Sequence, residues 1–376
     1  MSKIKVAVII TKLELGGAQK VAISLCEKLD KTKFEPFLIC GCGGILDEET
    51  KAKIKVIFVK DLVREINPVK DLKALYSIYK ILKKEKPNIV HTHSSKAGII
   101  GRFAAKLCGI KNIIHTIHGF SFNDTQSFLK KNLFIFLEKA GAKISKYLIP
   151  VSTENITKGL DNHIGKKEQY NYIRLGIDIE NFKNFKDEPN LKKELNIDEK
   201  DFLVTTIGPF KPQKNLPDFI KTAKNISEKD NRFKFVIVGD GVLKPEFEKM
   251  IKDYNISQNI SLIGWRRDIS NILNSSDFFV MTSLWEGLPI STIEAMCCGL
   301  SPVVNDVDGQ REIIKDGFNG FLIKPHDIKS IEEKILLLAK DTELKNKMSD
   351  NAKKSIDYTF SIDHMIKQHE RLYLTL

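Results

Sequence analysis

Short apolar runs rich in β-branched residues alternate with longer helical patterns from one end of this chain to the other, and they do so in two series. The first series is Lys5–Ile10, Phe34–Cys40, Ile54–Val59, Asn88–His93, Asn112–His118, Tyr147–Ser152 and Tyr172–Ile177. The second is Phe202–Gly208, Phe233–Gly239, Ile260–Gly264, Phe278–Ser283, Ser301–Asn305 and Gly320–Ile323. Strands spaced by helices predict βαβ units and parallel sheets with right-handed crossovers. A charged, soluble stretch, Glu180–Lys200, separates the series. At 376 residues the chain exceeds one ordinary core, so two doubly wound domains follow.

Composition narrows the function classes. The apolar runs, such as KFVIVGD and FFVM, fall far short of the roughly 20 residues that span a bilayer. The first residues lack the pattern of a signal peptide, which leads us to expect a cytoplasmic protein. Six cysteines show no paired C-x-x-C spacing. Cys297 and Cys298, inside an apolar helical pattern, read as small buried hydrophobes. Cys40 and Cys42 have no second cluster nearby to complete a metal site, and the lack of a disulfide framework agrees with a reducing compartment. The net charge of +12 favours an anionic partner, although a lysine-rich proteome would give the same bias.

In doubly wound sheets ligands bind beyond the carboxyl ends of the strands, and the unusual residues fall there. The first strand ends in a loop carrying Gly16 and Gly17 at a helix start, where backbone N–H groups can approach a phosphate. The fourth and fifth end in HTHSSKAG (His91–Gly98) and HGF (His118–Phe120). His91 and His115 lie inside strands and read as satisfied core residues, whereas His118 sits at a strand end before glycine and reads as functional. In the second half, GPFKPQKN (Gly208–Asn215) brings Lys211 and Lys214 to a strand end, and GWRRD (Gly264–Asp268) forms another turn.

The most informative segment is LWEGLPISTIEAMCCG, Leu284–Gly299. Pro289 suits the first turn of a helix running to Cys298 and stopped by Gly299. Glu286 then lies in the loop before the helix and Glu294 inside it, with exposed amides between them. A helix start favours phosphate, so one ligand with a sugar, a diphosphate and a ribose fits all three parts. Glycosidase-type acid/base work needs two carboxylates flanking one bond, and the phosphate-binding helix start between them argues against it.

EGLPISTIE, the GGAQ loop, the two histidine-bearing strand ends and VVNDVDGQREIIKDGFNGFLIKP (Val303–Pro325) together resemble glycosyltransferase family 4 over nearly the whole chain. The resemblance implies an α/β GT-B fold: two doubly wound Rossmann-like domains facing across a cleft. It implies an acceptor domain at 1–195, a nucleotide-sugar domain at 196–357 and a closing helix at 358–376 that crosses back. The implied activity is a retaining, metal-independent transfer from a nucleotide sugar, UDP favoured, to a hydroxyl acceptor such as a lipid-linked saccharide in cell-surface glycan assembly. Carried over residue by residue, Glu286 contacts the donor sugar, Glu294 holds the ribose, and Gly287, Leu288 and Pro289 cradle the diphosphate. Lys214 neutralises it, Gly16 and Gly17 close over it, and His118 lies near the reacting centre. Gly208 begins the lysine loop, and Arg267 belongs to the turn framing the nucleobase.

The family commonly has arginine directly after the glycine of that loop, whereas this chain has Pro209, so Lys211 is expected to supply the second cation. No metal cofactor is expected, since lysines and amides can take the leaving-group charge. Ser94, Ser95 and Lys96 are the acceptor candidates. Ser127–Ile149, with five lysines against one glutamate among Phe, Leu and Ile, suits either an anionic membrane surface or a core-facing helix with a solvated lysine face. A peripheral position on the inner face of the cell membrane follows from the first. A GT-B epimerase and a non-catalytic nucleotide-sugar sensor are the other readings. Nothing marks a nucleic-acid partner.

Overall fold

The structure is a computed structural model that describes residues 3–123, 126–185 and 190–376. Residues 186–189 of the expected linker lie outside the described residues. The chain forms two compact units, 1–176 with 362–376, and 177–361.

The first unit holds a six-stranded sheet in the order β3-β2-β1-β4-β5-β6, every pairing parallel. Its strands are β1 (Ile4–Ile9), β2 (Phe34–Cys40), β3 (Val56–Phe58), β4 (Ile89–His93), β5 (Asn112–Ile117) and β6 (Tyr147–Pro150). The second unit repeats the plan as β12-β11-β10-β7-β8-β9, again all parallel. Here the strands are β7 (Phe202–Ile207), β8 (Phe233–Val238), β9 (Ile260–Leu262), β10 (Phe278–Met281), β11 (Val303–Asn305) and β12 (Phe321–Ile323). Parallel strands covered on both faces must be apolar throughout rather than alternating, and the FFVM run of β10 is buried at every position.

Helix boundaries follow local chemistry. The helix Pro68–Glu85 begins with proline in its first turn, is capped by the Asn67 side chain accepting from the Lys70 N–H, and buries Ala74, Ile78 and Leu82 at four-residue spacing. Three helices, Pro68–Glu85, Ser95–Leu107 and Phe128–Ile144, pack side by side with Ser95–Leu107 in the middle.

Three expectations change. Tyr172–Ile177 forms no strand: Tyr170 makes a single bridge to Leu148 at the β6 edge, and Ile177 bridges to Ser361. Asn171 and Gly176, both poor strand formers, flank the apolar residues and the ladder stops there. The units divide at 176/177, not at 195/196. The tail splits into a 3-10 turn, Tyr358–Phe360, and a helix, Ile362–Leu374, and it is the helix that joins the first unit. There Tyr373 is fully buried, and its hydroxyl lies 2.6 Å from His91 Nδ1.

Candidate functional site

Each sheet has one place where the chain reverses its direction of travel along the strand order. In the first it lies between β1 and β4, in the second between β7 and β10. Loops leaving two such strands diverge and open a crevice, the usual ligand position in doubly wound sheets. The motif residues gather at these two places.

In the second unit the loop after β7 is anchored by Phe210, which is fully buried and whose N–H donates to the Asp240 carbonyl at 2.9 Å. The chain then makes a 3-10 turn, Pro212–Lys214, with Lys211 at its N-cap and Asn215 left-handed at its end. This turn carries Lys214 towards the loop after β10, where Nζ meets Glu286 Oε1 at 2.7 Å. Both side chains are largely buried. Gly208 makes room for that reach, because a Cβ there would stand 2.7 Å from Lys214 Cε.

The β10 loop is pinned on both sides. The Leu284 N–H donates to the Gln213 carbonyl at 2.8 Å, and Gln213 Nε2 donates to the Trp285 carbonyl at 2.8 Å. Thr282 Oγ1 donates to the carbonyls of Lys214 and Asn215 at 3.1 and 2.9 Å. From the other side the Glu286 N–H donates to Asp308 Oδ2 at 2.8 Å, and Asn305 Nδ2 donates to the carbonyls of Thr282 and Ser283. Gly309 lies so close that a Cβ on it would fall 1.9 Å from the Gly287 carbonyl oxygen. Asp308 and Asn305 were not singled out in the sequence. Asp308 stands beside Gly309 in the quoted VVNDVDGQRE block, which is the signal that marks it.

The helix that follows runs Ile290–Cys297, and Pro289 is its N-cap instead of its first residue, with no side chain capping the first-turn amides. Gly287, Leu288 and Pro289 are buried beside it, and Glu294 is buried within it. Cys297 is buried as well, its thiol pushed up to about 12 by burial. At the next turn Arg267 is exposed, while its neighbour Arg266 pairs with Asp268 at 2.7 Å and Glu194 at 2.5 Å. Among the candidates of this unit, Lys214 and Glu286 are brought into direct side-chain contact; Gly208 and the Gly287–Pro289 segment shape their surroundings.

In the first unit Gly16 is the N-cap of the helix Gly17–Lys28 after β1. Ser94, in the sparsely populated region at φ +60°, caps the helix after β4, and its Oγ lies 2.7 Å from Thr11 Oγ1. That contact ties the β1 and β4 loops together. Lys96 is drawn sideways into an ion pair with Asp71 at 2.6 Å and a bond to the Glu65 carbonyl. Ser95 opens the helix Ser95–Leu107 and is half-buried.

The histidines form a connected set. His91 bonds on both sides, Nδ1 to the Tyr373 hydroxyl and Nε2 to Thr116 Oγ1 at 2.7 Å, so it is a satisfied core residue as expected. His115 Nδ1 meets Thr92 Oγ1 at 2.9 Å. His118 Nε2 meets His93 Nδ1 at 3.0 Å, and His118 Nδ1 is buried with no hydrogen-bond partner among the described residues. Burial, helped by the nearby His369, pushes the His118 pKa down to about 3. Two neutral imidazoles sharing one hydrogen bond are tautomerically linked: if His93 donates, His118 keeps its proton on Nδ1 as a donor. Among the described residues no group of three or more His, Cys, Asp or Glu side chains is placed to hold a metal ion, and no helix is long and apolar enough to cross a membrane.

Comparison with known proteins identifies the family. The sequence model for Glycosyltransferase Family 4 matches residues 15–181, and that for Glycosyl transferases group 1 matches residues 187–355. The UDP-Gal:alpha-D-GlcNAc-diphosphoundecaprenol alpha-1,3-galactosyltransferase of Escherichia coli is 38% identical, the match covering 100% of this chain and 98% of that protein. The N,N'-diacetylbacillosaminyl-diphospho-undecaprenol alpha-1,3-N-acetylgalactosaminyltransferase of Campylobacter jejuni is 29% identical over 87% of this chain and 88% of its own. The crystal structure of Anabaena HepE in complex with UDP and glucose superposes with a TM-score of 0.86 at 18% identity, covering 99% of this chain and 100% of that one, which speaks for the fold. A relative this similar along the whole length, with family matches to both halves and two parallel sheets of the GT-B kind, makes this chain a member of glycosyltransferase family 4.

Proposed function

We propose that the enzyme transfers galactose from UDP-galactose, with retention, to a hydroxyl of an N-acetylhexosamine carried on a lipid diphosphate, as a step in cell-surface glycan assembly. The end-to-end similarity to the Escherichia coli galactosyltransferase carries this reading. The Campylobacter jejuni relative supports it by pairing a lipid diphosphate acceptor with the same alpha-1,3 linkage.

The second unit supplies chemistry suited to a UDP donor. Lys214 and the uncapped amides of Ile290–Cys297 face the same loop, so cation and helix start together stabilise charge developing on a departing diphosphate. Lys214 exchanges its Glu286 contact for a phosphate oxygen, which frees Glu286 to accept hydrogen bonds from sugar hydroxyls. Glu294 holds the ribose, and Lys211 replaces the arginine that the family usually carries at Pro209. Arg267 stands at the nucleobase turn. In the first unit, Gly16 and Gly17 approach the phosphates and His118 presents Nδ1 to the transferred sugar. Ser94 and Ser95 meet the acceptor, while Lys96 braces their loop through Asp71. The leaving phosphate oxygen serves as base for the incoming hydroxyl, and no metal is required.

The test is release of UDP and of α-linked disaccharide-lipid from purified protein in EDTA. UDP-galactose, UDP-N-acetylgalactosamine, UDP-glucose and GDP-mannose are each supplied with a short-chain polyprenyl diphosphate N-acetylglucosamine. Turnover with UDP-galactose alone supports the full reading. Turnover requiring added Mg²⁺, or donor conversion without acceptor, overturns it, the latter in favour of an epimerase.

A further inference from the structure

The two helices flanking Ser95–Leu107 each carry apolar side chains on the wrong side. In Phe128–Ile144 the core takes Gly141 and Ala142, with Glu138 buried about one turn before them. Leu129, Leu133 and Phe136, at i, i+4 and i+7, point away from it and are 81%, 53% and 67% exposed. In Pro68–Glu85 the core takes Ala74, Ile78 and Leu82, while Val69, Leu72 and Tyr76 are 63%, 67% and 58% exposed. Isolated exposed leucines are ordinary, but two helices of one layer that both carry such a stripe need a partner.

Topology puts the two stripes at one edge. Both helices run back from the carboxyl ends of strands, β3 and β5, to the starts of β4 and β6. Their first turns therefore lie at the edge that also carries Ser94 and His118. The stripes begin in those first turns and give way to lysine towards the far end.

Charge chooses the partner. Lys130 and Lys143 are exposed on one helix, Lys73 and Lys80 on the other. The acids of both helices are already neutralised: Glu138 by the buried Arg102, Asp71 by Lys96, and Glu85 by Lys5 and Lys55. What faces outward is apolar and positive, the combination that seats on anionic lipid.

We infer that the outward faces of Pro68–Glu85 and Phe128–Ile144 form one docking surface for an anionic lipid bilayer, seating the carboxyl edge of the first sheet at the level of lipid headgroups. Its purpose, delivery of a lipid-linked acceptor, rests on the function proposed above. The geometry does not.

The full-length protein is sedimented with vesicles of phosphatidylcholine, alone and mixed with phosphatidylglycerol. Binding to the mixed vesicles only, weakened by salt, is expected. Leu129→Glu with Leu133→Glu and Phe136→Glu should weaken it by roughly tenfold or more, as should Leu72→Glu with Tyr76→Glu on the other helix. UDP release with a water-soluble acceptor should stay unchanged in both variants. Failure of the wild type to bind anionic vesicles, or equal binding by the variants, overturns the docking surface. So does a dimer in sedimentation velocity that the substitutions split while vesicle binding persists, since the face would then join two copies. Vesicle binding without turnover of the soluble acceptor upholds the surface and overturns the acceptor reading.

Discussion

Lys214 and Glu286 stand 72 positions apart in the chain and 2.7 Å apart in the structure, the ion pair that joins the β7 and β10 loops across the reversal of the second sheet. On the role proposed for Lys214, removing the cation would take away electrostatic stabilisation of the leaving group, and it strands a largely buried carboxylate. Lys214→Ala is therefore expected to lower kcat for UDP release by about 10²- to 10³-fold. Arginine at the same position should recover part of it. Steady-state kinetics decide, and a value within threefold of wild type would remove Lys214 from the machinery.

Gly309 and Gly208 make contrasting tests. At Gly309 a Cβ would press on the Gly287 carbonyl, which is backbone and cannot swing aside. Gly309→Ala should weaken UDP binding by about tenfold or more and cost about 1–3 kcal/mol of stability. At Gly208 the obstacle is the flexible end of Lys214, so Gly208→Ala should weaken UDP binding with little change in Tm. Calorimetric titration and thermal unfolding separate the two. Unaltered UDP affinity in Gly309→Ala would show that the Gly287 segment does not set the site.

The pair Arg102–Glu138, at 2.8 Å and nearly without solvent contact, ties the Ser95–Leu107 and Phe128–Ile144 helices. Arg102 also donates through Nε to the Gly98 carbonyl at 2.8 Å. Glu138→Ala leaves the guanidinium buried and uncompensated, an expected loss of about 3–5 kcal/mol. Arg102→Met combined with Glu138→Met should lose much less. Urea denaturation of the three proteins checks this, and equal losses in the single and double variants would refute the account.

Acid should destabilise the first unit. Burial holds His91, His93 and His115 well below the usual histidine range and pushes His369 down to about 4, with His118 lower still. In the unfolded chain these groups titrate near 6.5, so below that pH the unfolded state binds more protons. The stability is fully present above pH 6.5 and is lost as pH falls towards the folded values. The slope is about 1.4 kcal/mol per pH unit for each such histidine once its unfolded form is fully charged. Denaturation midpoints at pH 7.5, 6 and 5 should fall in that order, less steeply in His118→Asn. A midpoint unchanged down to pH 5 would contradict the buried, neutral cluster.

Much of this was legible in the sequence because it is local. Twelve of the expected strands appear, since a β-rich run between helical patterns needs only its own residues to be recognised. The candidate glycines, His118, Lys214 and Glu286 stand out in the sequence because they fall where strands give way to loops, and Glu294 because it follows Glu286 in one short motif. The residues that hold them did not. Asp308 reaches the Glu286 N–H, Thr282 the Lys214 carbonyl, and Tyr373 His91 through contacts between distant segments that leave no periodic trace. The same distance hid the pairing of Lys96, an acceptor candidate by sequence, because nothing local shows that Asp71 lies beside it. Tyr172–Ile177 misled for the opposite reason: its composition is strand-like, but it makes too few ladder contacts at the sheet edge to continue as a strand.

Tyr373 also sets an order of events. It closes over His91 across 282 positions of chain, and at the usual pace of translation, roughly 5–20 residues per second, the ribosome delivers it tens of seconds after β4. All of the second unit's strands emerge in the interval. The half of the enzyme that is made first is thus finished last. Until its final helix arrives, a nascent chain holds the histidine strand without its cover, and this is the window in which a chaperone or a protease would meet it.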